Sequence, residues 1–266
     1  MRNPIRPQQP AVSRGHRGFT LVELLVATTV SLFLLGGLFA SLQSTRSAFQ
    51  NQSALSQLQD NQRLAMTLMA DVIEAAGYYP NPLVTDPLVV MPASGSFVAG
   101  QPMFGTYSAA APGDSVTIRY GAGFDAVTGA DNVFNCAAQQ NTATSPYDTF
   151  VNRFYVAAQA ADPASRALWC TATTAAGIRN VQLVNGVENL AILYGVARTF
   201  PNVTGSCSEM YLRADQMLAA DWSNVCSVRV TLTFRNTLRS PTGSTTSIPI
   251  TISRTIAVMN QAGINS

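Results

Sequence analysis

The chain has 266 residues, rather long for one average domain and short for two, with 47% hydrophobic content, only 11% charged residues, sixteen basic side chains against fourteen acids, and one histidine. So little charge leaves no basic stripe of the kind a nucleic-acid binder needs. Every basic residue is arginine and the single histidine is His16, so the chain beyond it holds neither an imidazole base nor a lysine amine, which disfavours an enzyme.

Residues 1–18 are polar and carry Arg2, Arg6, Arg14 and Arg17. From Phe19 to Leu42 the chain is apolar, with Glu23 its only charge. A bilayer core takes about 20 helical residues, so this run can span it. Arg14 and Arg17 stand before it and the next basic residue is Arg46, which places the N-terminus in the cytoplasm and the rest across the membrane. A cleaved secretory signal has the same basic start, apolar centre and small residues, here near Ala40 and Ser41. Glu23 argues against it. A carboxylate at the centre of a membrane helix costs about 2.5–3.5 kcal/mol, and calls for a partner or a role. Removal of residues 1–18 would leave twelve arginines against fourteen acids, a slightly acidic chain.

The helix that starts here is predicted to continue, because no proline occurs between Phe19 and Tyr79. Gly36-Gly37 is expected to loosen it locally, at about 1 kcal/mol per glycine. Over 43–76 the helix is expected to be amphipathic. Leu58, Ala65, Met69, Val72 and Ala76 share one face; Asp60, Arg63, Thr67, Asp71 and Glu74 mark the other. Gly77 and Pro80 end it. Between Leu42 and Ser56 the residues are mostly Gln, Ser, Asn and Thr, and Phe49 stands on the side that later turns polar. It is expected to pack against a neighbouring helix.

Residues 77–266 read as one α+β head domain. The stretch 81–148 is rich in Pro, Gly, Ala, Ser and Thr, with one clear strand, Ser115 to Tyr120, among long loops. Further strands are predicted over Phe150–Ala157, Val181–Val184, Val187–Val196, Cys226–Arg235 and Ser247–Val258. Val228, Val230, Leu232 and Phe234 alternate with Arg229, Thr231, Thr233 and Arg235, as one buried face requires. Asn185-Gly186 predicts a two-residue hairpin turn. Arg254 interrupts the alternation of Ile248, Ile250, Ile252, Ile256 and Val258, so a bulge or a paired arginine is expected there. A long helix packed on an antiparallel sheet with long loops is the fold expected.

Four cysteines, all beyond the apolar run, fit an oxidising compartment and allow three connectivities. Pairing neighbours across loops gives Cys136–Cys170 and Cys207–Cys226. Spacings this wide without histidine argue against zinc. Asp125, Asp131 and Asn132 cluster in a glycine-containing loop without EF-hand spacing, and read as a solvated turn rather than a calcium site. No phosphate loop, catalytic triad or nucleotide fingerprint occurs, so no cofactor is expected.

Arg17-Gly18-Phe19-Thr20-Leu21-Val22-Glu23 followed by the apolar run resembles the prepilin processing signature. The resemblance implies cleavage by prepilin (leader) peptidase after Gly18 and N-methylation of Phe19. It gives Glu23 the role of neutralising the terminal amine of a neighbouring subunit during assembly. The offset of four residues is about 6 Å along a helix, and opposite charges in low dielectric stabilise each other only when both are present. Gly77-Tyr78, Asp114 to Tyr120, Asn152 to Val156, Leu168-Trp169-Cys170, Asn185 to Leu190 and Leu193 to Val196 resemble, in order, landmarks of PilW-type minor pilins. Met259-Asn260 departs from that pattern, which has a basic residue before the asparagine. The implied fold is pilin-like, with 1–18 a removed leader, 19–42 transmembrane, 43–76 amphipathic helix and 77–266 a periplasmic head. The implied function is a minor pilin in a pilus-tip complex that primes assembly. Implied partners are other minor pilins, the major pilin, prepilin peptidase and a tip adhesin, with the inner membrane as the site before assembly and the pilus fibre after it. Two alternatives stay open: a J-type pseudopilin of type II secretion, and an uncleaved membrane-anchored periplasmic binding module.

Overall fold

The computed structural model describes residues 18–83, 85–125, 129–141, 145–198, 208–236 and 248–259. The chain divides into two units, Met1–Gln52 and Ser53–Ser266. Helix α1 runs unbroken from Leu21 to Glu74, through Gly36-Gly37, where no interruption occurs.

In the first unit nearly every described residue is exposed, including Leu21, Phe33, Leu34 and Phe39. The most apolar window of α1 has a mean hydropathy of 2.1 and none of it is buried. Thr28, Thr29 and Ser31 sit in this stretch without leaving a hydroxyl unsatisfied. Each donates back to a carbonyl one turn earlier, as Thr29 Oγ1 does to Leu25 O at 2.8 Å.

In the second unit α1 buries Leu58, Ala65, Met69 and Val72 of the expected face, together with Met66, Ala70 and Ile73, and Ala76 is buried in the turn just beyond it. Asp60, Arg63, Thr67 and Asp71 are exposed. Gly77, at φ +76°, turns the chain out of the helix in a conformation that only glycine adopts without strain. Its N–H donates to Arg119 O at 3.0 Å, so the helix end is sewn directly to the sheet.

The head holds two antiparallel sheets, not the single one expected. A short helix α2 (Pro87–Val90) is followed by β1 (Met103–Thr106), β2 (Ser115–Asp125), β3 (Gly129–Ala130), β4 (Tyr147–Ala158), β5 (Arg166–Thr174) and β6 (Gly177–Asn185). These strands pair in the order β1-β2-β4-β5-β6, with β3 on β2. Then come β7 (Val187–Val196), β8 (Met210–Leu212), β9 (Val225–Phe234) and β10 (Ile250–Ala257), ordered β10-β9-β7-β8, with 3₁₀ turns Ala214–Gln216 and Ala219–Asn224 before β9. One core takes Met69 and Ile73 from the helix, Phe150 and Phe154 from the first sheet, and Ile192, Val230 and Phe234 from the second.

Several expectations are corrected. Asn185-Gly186 is no hairpin, because β6 and β7 belong to different sheets. It is a corner at which Gly186, at φ +77°, donates to Arg166 O and accepts from Arg235 N–H, tying the two sheets together. Strand β5 was not foreseen: Ala167, Leu168, Cys170 and Ala172 point inward, and such small residues give a weak apolar signal. Strand β1 and helix α2 also occupy a stretch expected to be loop. At Arg254 there is no bulge, since the β10–β9 register runs unshifted and sets Arg254 opposite Val230. Nor does Arg254 form an ion pair among the described residues. Strand β10 ends the sheet order, so a long side chain on its inner face reaches solvent.

Candidate processing and assembly site

Gly18, Phe19 and Thr20 form a short non-helical lead into α1. The helix starts at Leu21 because Thr20 caps it: its Oγ1 accepts the Glu23 N–H at 3.3 Å, while its carbonyl accepts from Leu24 at 3.2 Å. The Thr20-x-x-Glu23 spacing is the capping-box signal, and it was the readable clue to Thr20 that sequence reasoning passed over. Glu23 lies in the first helical turn, where the positive end of the helix dipole favours a carboxylate. Phe19 and Glu23 are both exposed.

Gly18 has no structural reason to be glycine. A Cβ built there meets nothing within 4 Å, and its φ is not in the left-handed region.

The cysteines act elsewhere, in the head. Cys136 and Cys170 form a disulfide with Cα atoms 6.3 Å apart. It joins the 131–141 loop to the inner face of β5. Around it the loop is built by Asn135, whose Oδ1 accepts from Ala137 and Gln139, and by Tyr120 Oη, which donates to Phe134 O at 2.6 Å. The Cys136 N–H donates to Asn152 Oδ1 at 2.9 Å on β4. Cys226 is buried on β9, whereas Cys207 lies outside the described residues.

Asp131 is occupied by backbone: its Oδ2 accepts from Gly123 N–H at 2.7 Å. Asn132 is exposed, and the side chain of Asp125 lies outside the described ones. Among the described residues no cluster of acids, histidines or cysteines is set to hold a metal ion.

The landmark residues of the head fall at seams between elements. Asp114 accepts from Ser108 N–H at 2.9 Å and Ile192 N–H at 2.7 Å, linking β2 to β7. Glu188, beyond the Gly186 corner, pairs with Arg235 at 2.7 Å and Arg166 at 3.6 Å. A prokaryotic N-terminal methylation motif matches residues 13–39, and the model of type IV pilus-assembly protein W, PilW, matches residues 153–262. The chain is a type IV pilus-assembly protein of the PilW family. The methylation motif spans Gly18, Phe19 and Glu23, and the PilW match runs from β4 through β10. PilW-family proteins are structural rather than enzymatic, and the family implies interactions with pilins and prepilin peptidase. A long apolar helix packed against antiparallel sheets gives this chain the pilin-like α+β fold. Neither a curated protein nor a solved structure gives a match.

Proposed function

We propose that the chain is a minor pilin, made as an inner-membrane precursor, trimmed between Gly18 and Phe19, N-methylated at Phe19 and incorporated near the tip of a type IV pilus. Residues 1–18 are the leader, 19–42 the membrane span, and the head is periplasmic before assembly. Other minor pilins and the major pilin are the partners along the helix, a tip adhesin is the partner at the distal end, and prepilin peptidase acts on the precursor. The observation that carries this reading is a capped helix start two residues behind the expected cut, with Glu23 in its first turn and an exposed apolar surface running on from it. A bare apolar helix of this length is stable only in lipid or against other helices. A second disulfide, Cys207–Cys226, belongs to the same reading. Ser208, the next residue along from Cys207, places its Oγ 3.5 Å from Cys226 Sγ.

Mass spectrometry of the protein purified from its own cells tests the proposal. A chain starting at N-methyl-Phe19 is the expected result, and an intact Met1 would establish the uncleaved anchor instead. Glu23→Gln is expected to leave the cleavage intact and abolish incorporation into the filament; normal incorporation would refute the assembly role. Co-purification with type II secretion components rather than pilus components would move the chain to the pseudopilins.

A further inference from the structure

On the outer face of the first sheet, a trough of about 530 Å³ opens under the loop that follows α2. Thr117, Thr149, Arg153 and Thr173 line its floor, on β2, β4 and β5, while Phe97 and Phe104 form its wall. The two rings meet edge to face at 6.3 Å.

The wall is held by one buried cation. Arg119 points outward from β2 yet is almost wholly enclosed, its guanidinium 4.5 Å from the Phe97 ring centre. Its Nε donates to Gln101 O at 2.6 Å, its Nη1 to Pro92 O at 2.5 Å and its Nη2 to Val98 O. These bonds fasten the loop but leave the charge uncancelled. No carboxylate pairs with Arg119 among the described residues. Burial pulls its pKa down to about 10, so it remains charged at neutral pH. A guanidinium has five donor hydrogens, and these contacts use three.

Arg153, on that floor, is exposed and lies 5.1 Å over the Tyr155 ring, also without an ion pair among the described residues. Among the described residues no acid lines the trough. It is a positive recess, whereas Arg166, Arg198, Arg213 and Arg235 elsewhere in the head are matched with acids.

We propose that this trough binds an acidic saccharide, a short sugar chain bearing carboxylates. The volume falls within the range of about 300–1,000 Å³ usual for small-molecule sites and exceeds what a lone anion fills. Phe97 and Phe104 offer apolar surface to a sugar ring. Thr117 and Thr173 offer hydroxyls that form no side-chain hydrogen bond among the described residues, and Arg153 offers a fork for a carboxylate. A nucleic acid is disfavoured, since it needs a row of cations along its phosphates, and among the described residues of the trough Arg153 is the one exposed cation. An added peptide strand would need an open sheet edge. The trough instead lies on the sheet face, and β1 is flanked by the second 3₁₀ turn, with Phe104 and Trp222 rings 5.1 Å apart.

The test uses the full-length protein in detergent micelles, with ligand-observed NMR and calorimetry. The probes are trigalacturonate, neutral galactotriose, sodium sulfate and a short single-stranded oligonucleotide. Trigalacturonate is expected to bind at least about tenfold more tightly than galactotriose, and Arg153→Gln to weaken it about tenfold. Arg179→Gln, an exposed arginine of the same sheet outside the trough, is expected to leave binding unchanged. Thr173→Val is expected to weaken binding while the thermal transition stays in place. No binding, equal binding of the neutral sugar, insensitivity to Arg153→Gln, or tighter binding of sulfate or oligonucleotide would each overturn the proposal. All these results are independent of whether the chain is cleaved at Gly18.

Discussion

Asp221 is buried in the second 3₁₀ turn, where Arg198 donates to both of its carboxylate oxygens and Leu218 N–H donates to Oδ2 at 2.7 Å. The Arg198 hydrogen bonds hold this carboxyl below the usual range, against the opposing effect of burial. A folded pKa lower than the unfolded one adds stability that is whole above about pH 4 and lost as pH falls through the lower folded value. Thermal melts across acid pH should therefore show a falling limb below about pH 4, shallower in Asp221→Asn than in the native chain. An unchanged limb would remove Asp221 from the account. At the same scale, Met69 is fully buried where the helix meets both sheets. Met69→Ala is expected to cost about 2–5 kcal/mol in denaturant titrations. Phe49, by contrast, is exposed in the single chain, so Phe49→Ala should lower filament incorporation without moving the melting temperature of the head.

Among the elements, the corner at Gly186 and the loop fastened by Cys136–Cys170 do the joining. A Cβ at 186 meets nothing, so substitution there costs only the left-handed backbone. Gly186→Val should destabilise by about 1–3 kcal/mol and Gly186→Asn by less, because asparagine tolerates that conformation. Equal melting temperatures for the two variants would show that the corner relaxes. The disulfide closes a sequence separation of 34 residues. Its removal in the double variant Cys136→Ser, Cys170→Ser should cost roughly 3 kcal/mol, read from chemical denaturation under oxidising conditions. Helix α1 was readable as an element because its apolar face repeats at the helical period. Met66, Ala70 and Ile73 escaped because the helix contributes to a core shared with two sheets, which covers a wider arc than one stripe.

For the whole molecule, the exposed apolar helix of the first unit and the folded head of the second answer to different surroundings. The head satisfies itself, with its apolar strand faces turned into one core. The first unit does not, and its stability depends on lipid or on other helices. The N-terminal methylation motif, the long apolar helix and the buried alternation of β9 could all be read from the residues themselves, since each depends on neighbours within a few positions along the chain. Tertiary structure alone decided that Asn185-Gly186 turns between sheets rather than within one, that Arg254 needs no bulge, and that Arg119 pins a distant loop over the trough. Those outcomes rest on which strands pair and which backbone carbonyls come to face a side chain, and such contacts join residues far apart in sequence whose local patterns are compatible with more than one arrangement.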